Sequence, residues 1–506
     1  MRSLISTLSF LLFFTFSAFT QSLPSFISDS LDSYIKRGME QFKIPGTAVL
    51  IVKDGKIAYA KGFGVKEYGS NDRVDENTLF LIGSNTKAFT GTLLALLEYE
   101  NKLKLEDRVR NYLPNFQLYD QCASEKLNLI DIVSHRMGYD TFQGDFMYWT
   151  SDLNEDQVLE KFGKLPPKFD FRAKYGYTNA GYSVAGKVIY NVTNLRWGDY
   201  LKEKILLPLR MTRTVSLSQE FAMASNVAKP HTLINGEIKV LPFDNIDNLA
   251  PCGSMGSSIM DLSKWIIIQL DSGRLDGKSV IPFKVIERTR QPQTFVRKAR
   301  HPFNKSNFIL YGLGWVLQDY EGREIVSHTG GVNGFLTSVT LLPKENLGVV
   351  VLTNTDQNTF YEWIKWEIID AYLNLPYRNY LDFGYNLFNQ SKTQKLNRVK
   401  NWRDSVTLNL KTPIPLNEFA GKYEHEVYGY AEIIPKENYL ELKLQHHSKI
   451  TGKLEYIGNN RFVCTYSDPV YGIEVFQFEI ENNKVKSFDL KVDDFIDYMV
   501  YKFVKK

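Results

Sequence analysis

The sequence predicts an α+β chain of two domains: an antiparallel sheet layered between helices and interrupted by an α-helical insertion, then a small C-terminal all-β, barrel-like domain. Three observations carry this. Strand-like runs of β-branched and aromatic residues lie far apart, around 47–63 and 311–353, with helical spacing between and after them. The intervening stretch, from Leu105 to about Leu209, holds helical pieces separated by loops rich in Pro, Gly and Asp. After Pro415 short alternating runs recur at roughly ten-residue spacing, seven or eight in all, as in a β-barrel or sandwich.

Taken in order, residues 1–22 read as a secretory signal peptide: Arg2, an apolar run from Leu4 to Phe19 diluted by Ser and Thr, then small and polar residues. Cleavage is expected between Ala18 and Ser22. Ser25 to Gln41 carries apolar residues at helical spacing (Phe26, Ile27, Leu31, Tyr34, Ile35), and Pro45-Gly46 closes that helix. Thr47–Val52 and Lys56–Phe63 flank Asp54-Gly55, a dipeptide suited to a two-residue hairpin turn. Ala88 to Glu98 is apolar on nearly every side, which marks a buried central helix with its amino end at Ser84. Extended runs return at Tyr311–Leu317, Thr337–Leu342 and Gly348–Thr353, and Trp363–Tyr372 follows as a helix. The first domain is therefore 23–380. Phe383 to Leu410 turns polar and basic (Lys392, Lys395, Arg398, Lys400, Arg403), so 381–414 is expected to be a linker, and 415–506 the β domain. A polar linker and self-contained strands imply that the first domain folds alone.

Composition excludes several functions. Lys plus Arg is 61 against 57 Asp plus Glu, a net charge of +4 over 506 residues, too little to form the focused basic face that nucleic acid needs. Three cysteines, Cys122, Cys252 and Cys464, allow at most one disulfide and show no metal-ligand spacing, and no HExxH occurs among the seven histidines. No metal and no cofactor are expected. No stretch after the leader is long and apolar enough to span a membrane, so the mature chain is expected to be exported, periplasmic or secreted, and soluble. Its partner would be a small-molecule or short-peptide substrate. Oligomeric state is not legible.

Three short patterns carry chemistry. Ser84-Asn85-Thr86-Lys87 puts a hydroxyl and an amine on one face of the buried helix, a nucleophile and base pair, while the helix amino terminus offers backbone N–H groups to an oxyanion. Ser33 to Lys36 repeats the pattern on the exposed opening helix, without the apolar flank. Tyr177-Thr178-Asn179 adds a phenol able to relay a proton and an amide able to bind a substrate carbonyl; Tyr377 to Asn379 repeats that tripeptide. His328-Thr329-Gly330-Gly331 precedes an extended run, and its glycines would let substrate lie against a strand edge, with the Gly331 N–H as a second oxyanion donor.

The three patterns in this order resemble the serine β-lactamase and penicillin-recognising hydrolase family, in its class C-like branch with D-aminopeptidases, D-alanyl-D-alanine carboxypeptidases and esterases. Further segments are similar: Lys43-Ile44-Pro45-Gly46, Leu103-Lys104-Leu105-Glu106-Asp107, Tyr112-Leu113-Pro114, Ser134-His135-Arg136-Met137-Gly138, Leu207-Pro208-Leu209-Arg210-Met211-Thr212 and Pro251-Cys252-Gly253-Ser254. The resemblance covers about residues 25–375. It implies Ser84 as acylated nucleophile, Lys87 as proton acceptor and Tyr177 as the partner in proton transfer. Asn179, His328, Thr329 and Gly330 would bind substrate, and the backbone of Ser84 and Gly331 the oxyanion. His328 departs from the Lys-Thr-Gly of most β-lactamases; a permanent cation becomes an imidazole that charges only as pH falls towards about 5.5, which favours peptidase or esterase activity over antibiotic hydrolysis. Phe419-Ala420-Gly421-Lys422-Tyr423 opens a domain that resembles a lipocalin-like appendage. The implied activity is an exported serine hydrolase acting on a small amide or ester: a D-amino-acid peptide, an ester or a β-lactam. Two alternatives stand beside it, a catalytically silent relative that binds or signals, and a β domain that binds an apolar ligand in its barrel.

Overall fold

A computed structural model describes residues 23–506; the expected leader, 1–22, lies outside the described residues. Helix α1 (Leu31–Phe42) leads into β1 (Gly46–Lys53) and β2 (Lys56–Gly64), joined by the Asp54-Gly55 turn with both residues at positive φ. Helix α2 (Thr86–Tyr99) follows a single tight turn over Gly83–Asn85. The insertion contributes short helices and α3 (Ala180–Thr193), after which α4 (Ile259–Leu270) returns the chain to the sheet. Strands β3 (Thr294–Lys298), β4 (Phe308–Tyr311), β5 (Val316–Tyr320), β6 (Arg323–Val332), β7 (Phe335–Leu342) and β8 (Leu347–Thr353) complete an eight-stranded antiparallel sheet in the order β2-β1-β8-β7-β6-β5-β4-β3.

Strand periodicity divides the core. In β1, Ala48, Leu50 and Val52 face α2 and α4, while Val49 and Ile51 face α1 and α5 (Phe360–Tyr372). Both faces are covered, so β1 is apolar throughout instead of alternating. The Tyr311–Leu317 run expected as one extended stretch is two strands, turned at Gly312–Trp315, where Gly314 takes φ +82°. His328, expected just ahead of an extended run, itself lies inside a strand, β6.

The expected linker is largely helix. Tyr380–Thr407 forms α6, 28 residues long, in a stretch that has neither Pro nor Gly after Gly384. Its polarity hid it, because only its first turn, at Tyr380, Leu381 and Gly384, is buried. The first turns pack on the sheet domain through Tyr385 and Phe388 on Phe42, and the later turns reach the second domain through Lys395 to Asp493 and Arg403 to Glu455. It is a strut between the two.

The second domain is a closed antiparallel barrel of eight strands, β9 (Gly421–His425), β10 (Gly429–Pro435), β11 (Leu440–Leu444), β12 (Thr451–Gly458), β13 (Arg461–Tyr466), β14 (Ile473–Glu481), β15 (Lys484–Leu490) and β16 (Tyr501–Lys505), with β16 pairing back on β9. Its interior is filled by aromatic rings, among them Phe462, Phe478 and Phe488 at centroid spacings near 5.1 Å. The last strand begins only at Tyr501, and the segment before it, through Asp497, reaches the first domain. The barrel does not hang free. Asp497 Oδ2 accepts the backbone N–H groups of Gly144 and Phe146, His447 stacks on Phe146 at 4.9 Å and bonds its carbonyl, and Tyr471 donates to the carbonyl of Trp149.

The three cysteines are free thiols, so no disulfide forms. Among the described residues no helix is long and apolar enough to cross a membrane.

Candidate active site

Close packing of backbone on backbone builds the centre. Gly83, at φ +53°, lets the chain turn into α2, and a Cβ there would stand 2.8 Å from the Gly331 nitrogen. A Cβ on Gly330 would stand 1.9 Å from the Ile82 carbonyl oxygen, so β6 can cross the start of the Ser84 helix only because it carries glycine. Asn85 donates to Thr337 on β7 at 2.8 Å and stitches the same junction. The result brings Ser84 and Gly331 to the floor of one cleft of about 630 Å³, lined also by Tyr177, Asn179, His328, Thr329 and Gly330. Beyond Ser327, β6 is paired only with β7, since β5 stops opposite it, and the other edge of 328–332 turns to the cleft.

Lys87 is fully buried in the first turn of α2. Its Nζ donates to Ser84 Oγ at 3.0 Å, to Asn179 Oδ1 at 2.7 Å and to the Cys252 carbonyl at 2.9 Å. The rings of Tyr177 and Tyr182 lie 4.8 and 5.3 Å from it. Burial brings its pKa down to about 8, while Asp145 pushes the other way. A lysine in that state is part neutral amine near physiological pH. Burial pushes the Tyr177 hydroxyl well above its ordinary value, so it is a phenol and not a phenolate. Ser84 is near enough to bear on that hydroxyl, but no hydrogen bond of good geometry holds it in the resting site.

The two decoys are elsewhere. Ser33 and Lys36 are exposed on α1, and Tyr377 is 60% exposed ahead of α6.

His328 differs from the sequence expectation. It is 4% exposed, its Nε2 is 3.0 Å from the Tyr311 hydroxyl, and its Nδ1 is 2.6 Å from the Thr329 carbonyl. Burial, reinforced by Lys87, lowers its pKa to about 3. The imidazole therefore stays neutral through pH 5.5 and charges only below about pH 4, so acidification does not create a carboxylate-binding cation. The ratio of kcat/KM for a carboxylate-bearing amide to that for a neutral ester is expected to stay within about twofold between pH 8 and 5.5, both rates falling together as Lys87 protonates. A ratio that climbs tenfold on acidification would show a His328 titrating near its ordinary value.

Four residues at the cleft were not foreseen as members of it. Asp145 is fully buried and accepts the Asn179 Nδ2 at 2.6 Å. His135 lies among the rings of Tyr175, Tyr177, Tyr182 and Tyr311 and accepts the Thr178 N–H. Phe495 and Tyr498 come from the barrel: Phe495 packs on Trp149 and lies 3.6 Å from where a Gly331 Cβ would be, and Tyr498 stacks on Phe142. No local pattern marks any of these as a site residue; only the Ser134-to-Gly138 segment, quoted for its likeness, contained one of them.

The chain is 28% identical over 420 residues to an unguisins hydrolase of Aspergillus campestris, covering 79% of this chain and 76% of that protein. It is 28% identical over 333 residues to protein flp of Staphylococcus aureus, covering 64% of this chain and 62% of flp. Among solved structures, an octameric penicillin-binding protein homologue from Pyrococcus abyssi superposes with TM-score 0.60 at 23% identity, over 94% of this chain and all of that one. The D-amino acid amidase of Ochrobactrum anthropi superposes with TM-score 0.55 at 18% identity, over 68% of this chain and 98% of that one. Both likenesses are of fold. The family profile described as beta-lactamase matches residues 31–373, the part that holds Ser84, Lys87, Tyr177, Asn179 and His328, and the chain belongs to the beta-lactamase family.

Proposed function

We propose that this member of a hydrolase family cleaves a small amide or ester through an acyl intermediate on Ser84, as an exported enzyme closer to a peptidase or esterase than to a β-lactamase. One observation carries the reading: a fully buried Lys87 held at 3.0 Å from Ser84 Oγ, with its pKa brought down to about 8. Neutral Lys87 takes the Ser84 proton as Oγ bonds to the substrate carbonyl carbon, and the carbonyl electron pair moves onto oxygen. The backbone N–H groups of Ser84 and Gly331 receive that oxyanion. The Tyr177 hydroxyl, free of other partners, passes a proton to the leaving group and is refilled from the Lys87 ammonium. Water then reverses the sequence to release the acid.

The lining indicates the substrate. It holds the carboxyl groups of Asp145, Asp356 and Asp494, a neutral His328 and no Lys or Arg; Lys87 lies below it. Trp149, Ile246, Leu249, Leu336, Phe495 and Tyr498 supply apolar walls. This supports an acyl group with an apolar side chain and no carboxylate. A D-amino-acid amide, the kind of compound named in the Ochrobactrum anthropi enzyme's description, meets both conditions.

Two measurements test the reading. A fluorophosphonate should add its mass to Ser84. In a panel of a nitrophenyl ester, a D-amino-acid anilide, a cephalosporin and a D-alanyl-D-alanine peptide, the two substrates without a carboxylate should be favoured about tenfold to a hundredfold, the worth of the missing charge-assisted contact. Label on another residue, or a cephalosporin turned over best, defeats it.

A further inference from the structure

Asn179 stands between two titratable groups, Lys87 and Asp145. Its Oδ1 accepts from Lys87 Nζ at 2.7 Å and its Nδ2 donates to Asp145 Oδ2 at 2.6 Å, so the amide has one orientation in which both bonds are made. The other Asp145 oxygen accepts from the Tyr148 hydroxyl. Both oxygens of Asp145 thus act as acceptors, as a carboxylate's do. Its place is fixed from the far side of the molecule: the backbone N–H groups of Gly144 and Phe146, on either side of it, donate to Asp497 of the barrel.

We propose that Asp145 is a positioning residue, whose carboxylate holds the Asn179 amide oxygen toward Lys87 and offsets the ammonium that forms there when Ser84 is deprotonated. The inference rests on Lys87 being the proton acceptor. In that step the Ser84 hydroxyl proton moves to the Lys87 nitrogen lone pair, the serine oxygen pair forms the new bond to carbon, and the carbonyl π pair becomes the oxyanion. A buried ammonium with no counter-charge would be costly; Cys252 and then Asp145 raise the lysine's basicity there, and Asp145 is the carboxyl group of the two.

The groups facing the pair come from every element around it. Lys87 meets Ser84 on its own helix, Tyr177, Asn179 and Tyr182 at α3, the Cys252 carbonyl, and the field of His135 and His328, both kept neutral in part by Lys87 itself. Asp145 meets Tyr148, Asn179, Lys87 and, from the barrel, Asp497; burial, with the negative charge of Asp497 behind it, pushes its carboxyl well above the usual carboxylate range, and the Lys87 ammonium pulls it back. Tyr148 and Asn179 favour the carboxylate by their hydrogen bonds.

The test uses the full chain, with the rate of Ser84 labelling by a fluorophosphonate and kcat and KM for a neutral nitrophenyl ester, each from pH 5.5 to 10. Asp145→Asn keeps an acceptor for Asn179 and removes the charge, so the acid limb of kcat/KM should move down by about one pH unit, as expected when one nearby opposite charge is lost. Asp145→Ala loses the anchor as well, and kcat should fall at least about tenfold with KM within threefold. An unmoved acid limb in the Asn variant overturns the proposal, as does an Ala variant with unchanged kcat. If the Ala variant does not fold, the Asn variant decides alone. If Lys87→Ala leaves the labelling rate intact, it is the hydrolase mechanism itself that has failed; if Lys87→Ala abolishes labelling while both Asp145 variants behave as the parent, only this inference has failed.

Discussion

Ser84→Ala lowers turnover of every accepted substrate at least ~10³-fold and leaves the protein folded. The hydroxyl is the one nucleophile at the cleft floor with a buried amine at 3.0 Å, and Ala fills the same space at the end of its tight turn without a new contact. Lys87→Ala should lose a comparable factor, because the two groups act as a unit and their losses are not additive. It also empties a fully buried site that satisfied Asn179 and the Cys252 carbonyl, so a drop in thermal stability is expected for Lys87→Ala and not for Ser84→Ala. Lys36→Ala, at the exposed repeat of the pattern, should stay within about twofold. Steady-state kinetics on a nitrophenyl ester and a thermal melt check all three. Turnover by the Ser84→Ala protein at the parent rate would remove Ser84 from the chemistry, and a large loss at Lys36 would mean that the other Ser-x-x-Lys is the working one.

Ending the chain after Lys411 should cost at least ~10² in the rate of Ser84 labelling, or leave the protein insoluble. The reason is the loop from Phe142 to Asp152. Its Phe146 is 1% exposed because His447, Tyr428 and Tyr501 of the barrel stack around it, and uncovering such a ring is worth roughly 1.5–3 kcal/mol. Without the barrel, the Gly144 and Phe146 N–H groups lose Asp497, and the Trp149 carbonyl loses Tyr471. Asp145 sits in the middle of that loop and holds Asn179, so a loosened loop shifts the group that orients Lys87, and a misplacement near 1 Å can cost about 10²-fold. The cleft would also lose the Phe495 and Tyr498 walls. A soluble truncated protein that is labelled at the full-length rate would show that the first domain is self-sufficient, as its polar connecting segment suggests.

The sequence by itself determined the local structure wherever one period or one turn left no choice. Asp54-Gly55 fixed the first hairpin, the unbroken apolar run after Ser84 fixed a buried helix, and that burial separated the Ser84–Lys87 pair from its exposed copy at Ser33–Lys36. The strict alternation of Leu440, Leu442 and Leu444 with Glu441 and Lys443 likewise announced the barrel. Helix α6 was missed for the converse reason. Only its first turn, Tyr380, Leu381 and Gly384, is buried, and the polar turns after it carry no apolar stripe that would betray a helix. What only the tertiary structure decided is the environment of each charge. That His328 is an interior neutral ring, that Asp145 shares an amide with Lys87, that the barrel's Phe495 and Tyr498 line the first domain's cleft and that its Asp497 holds the loop around Asp145 all depend on contacts between residues from 17 to 353 positions apart. Side-chain chemistry is written in the chain, but desolvation and neighbouring charge set a pKa, and both are properties of the folded neighbourhood alone.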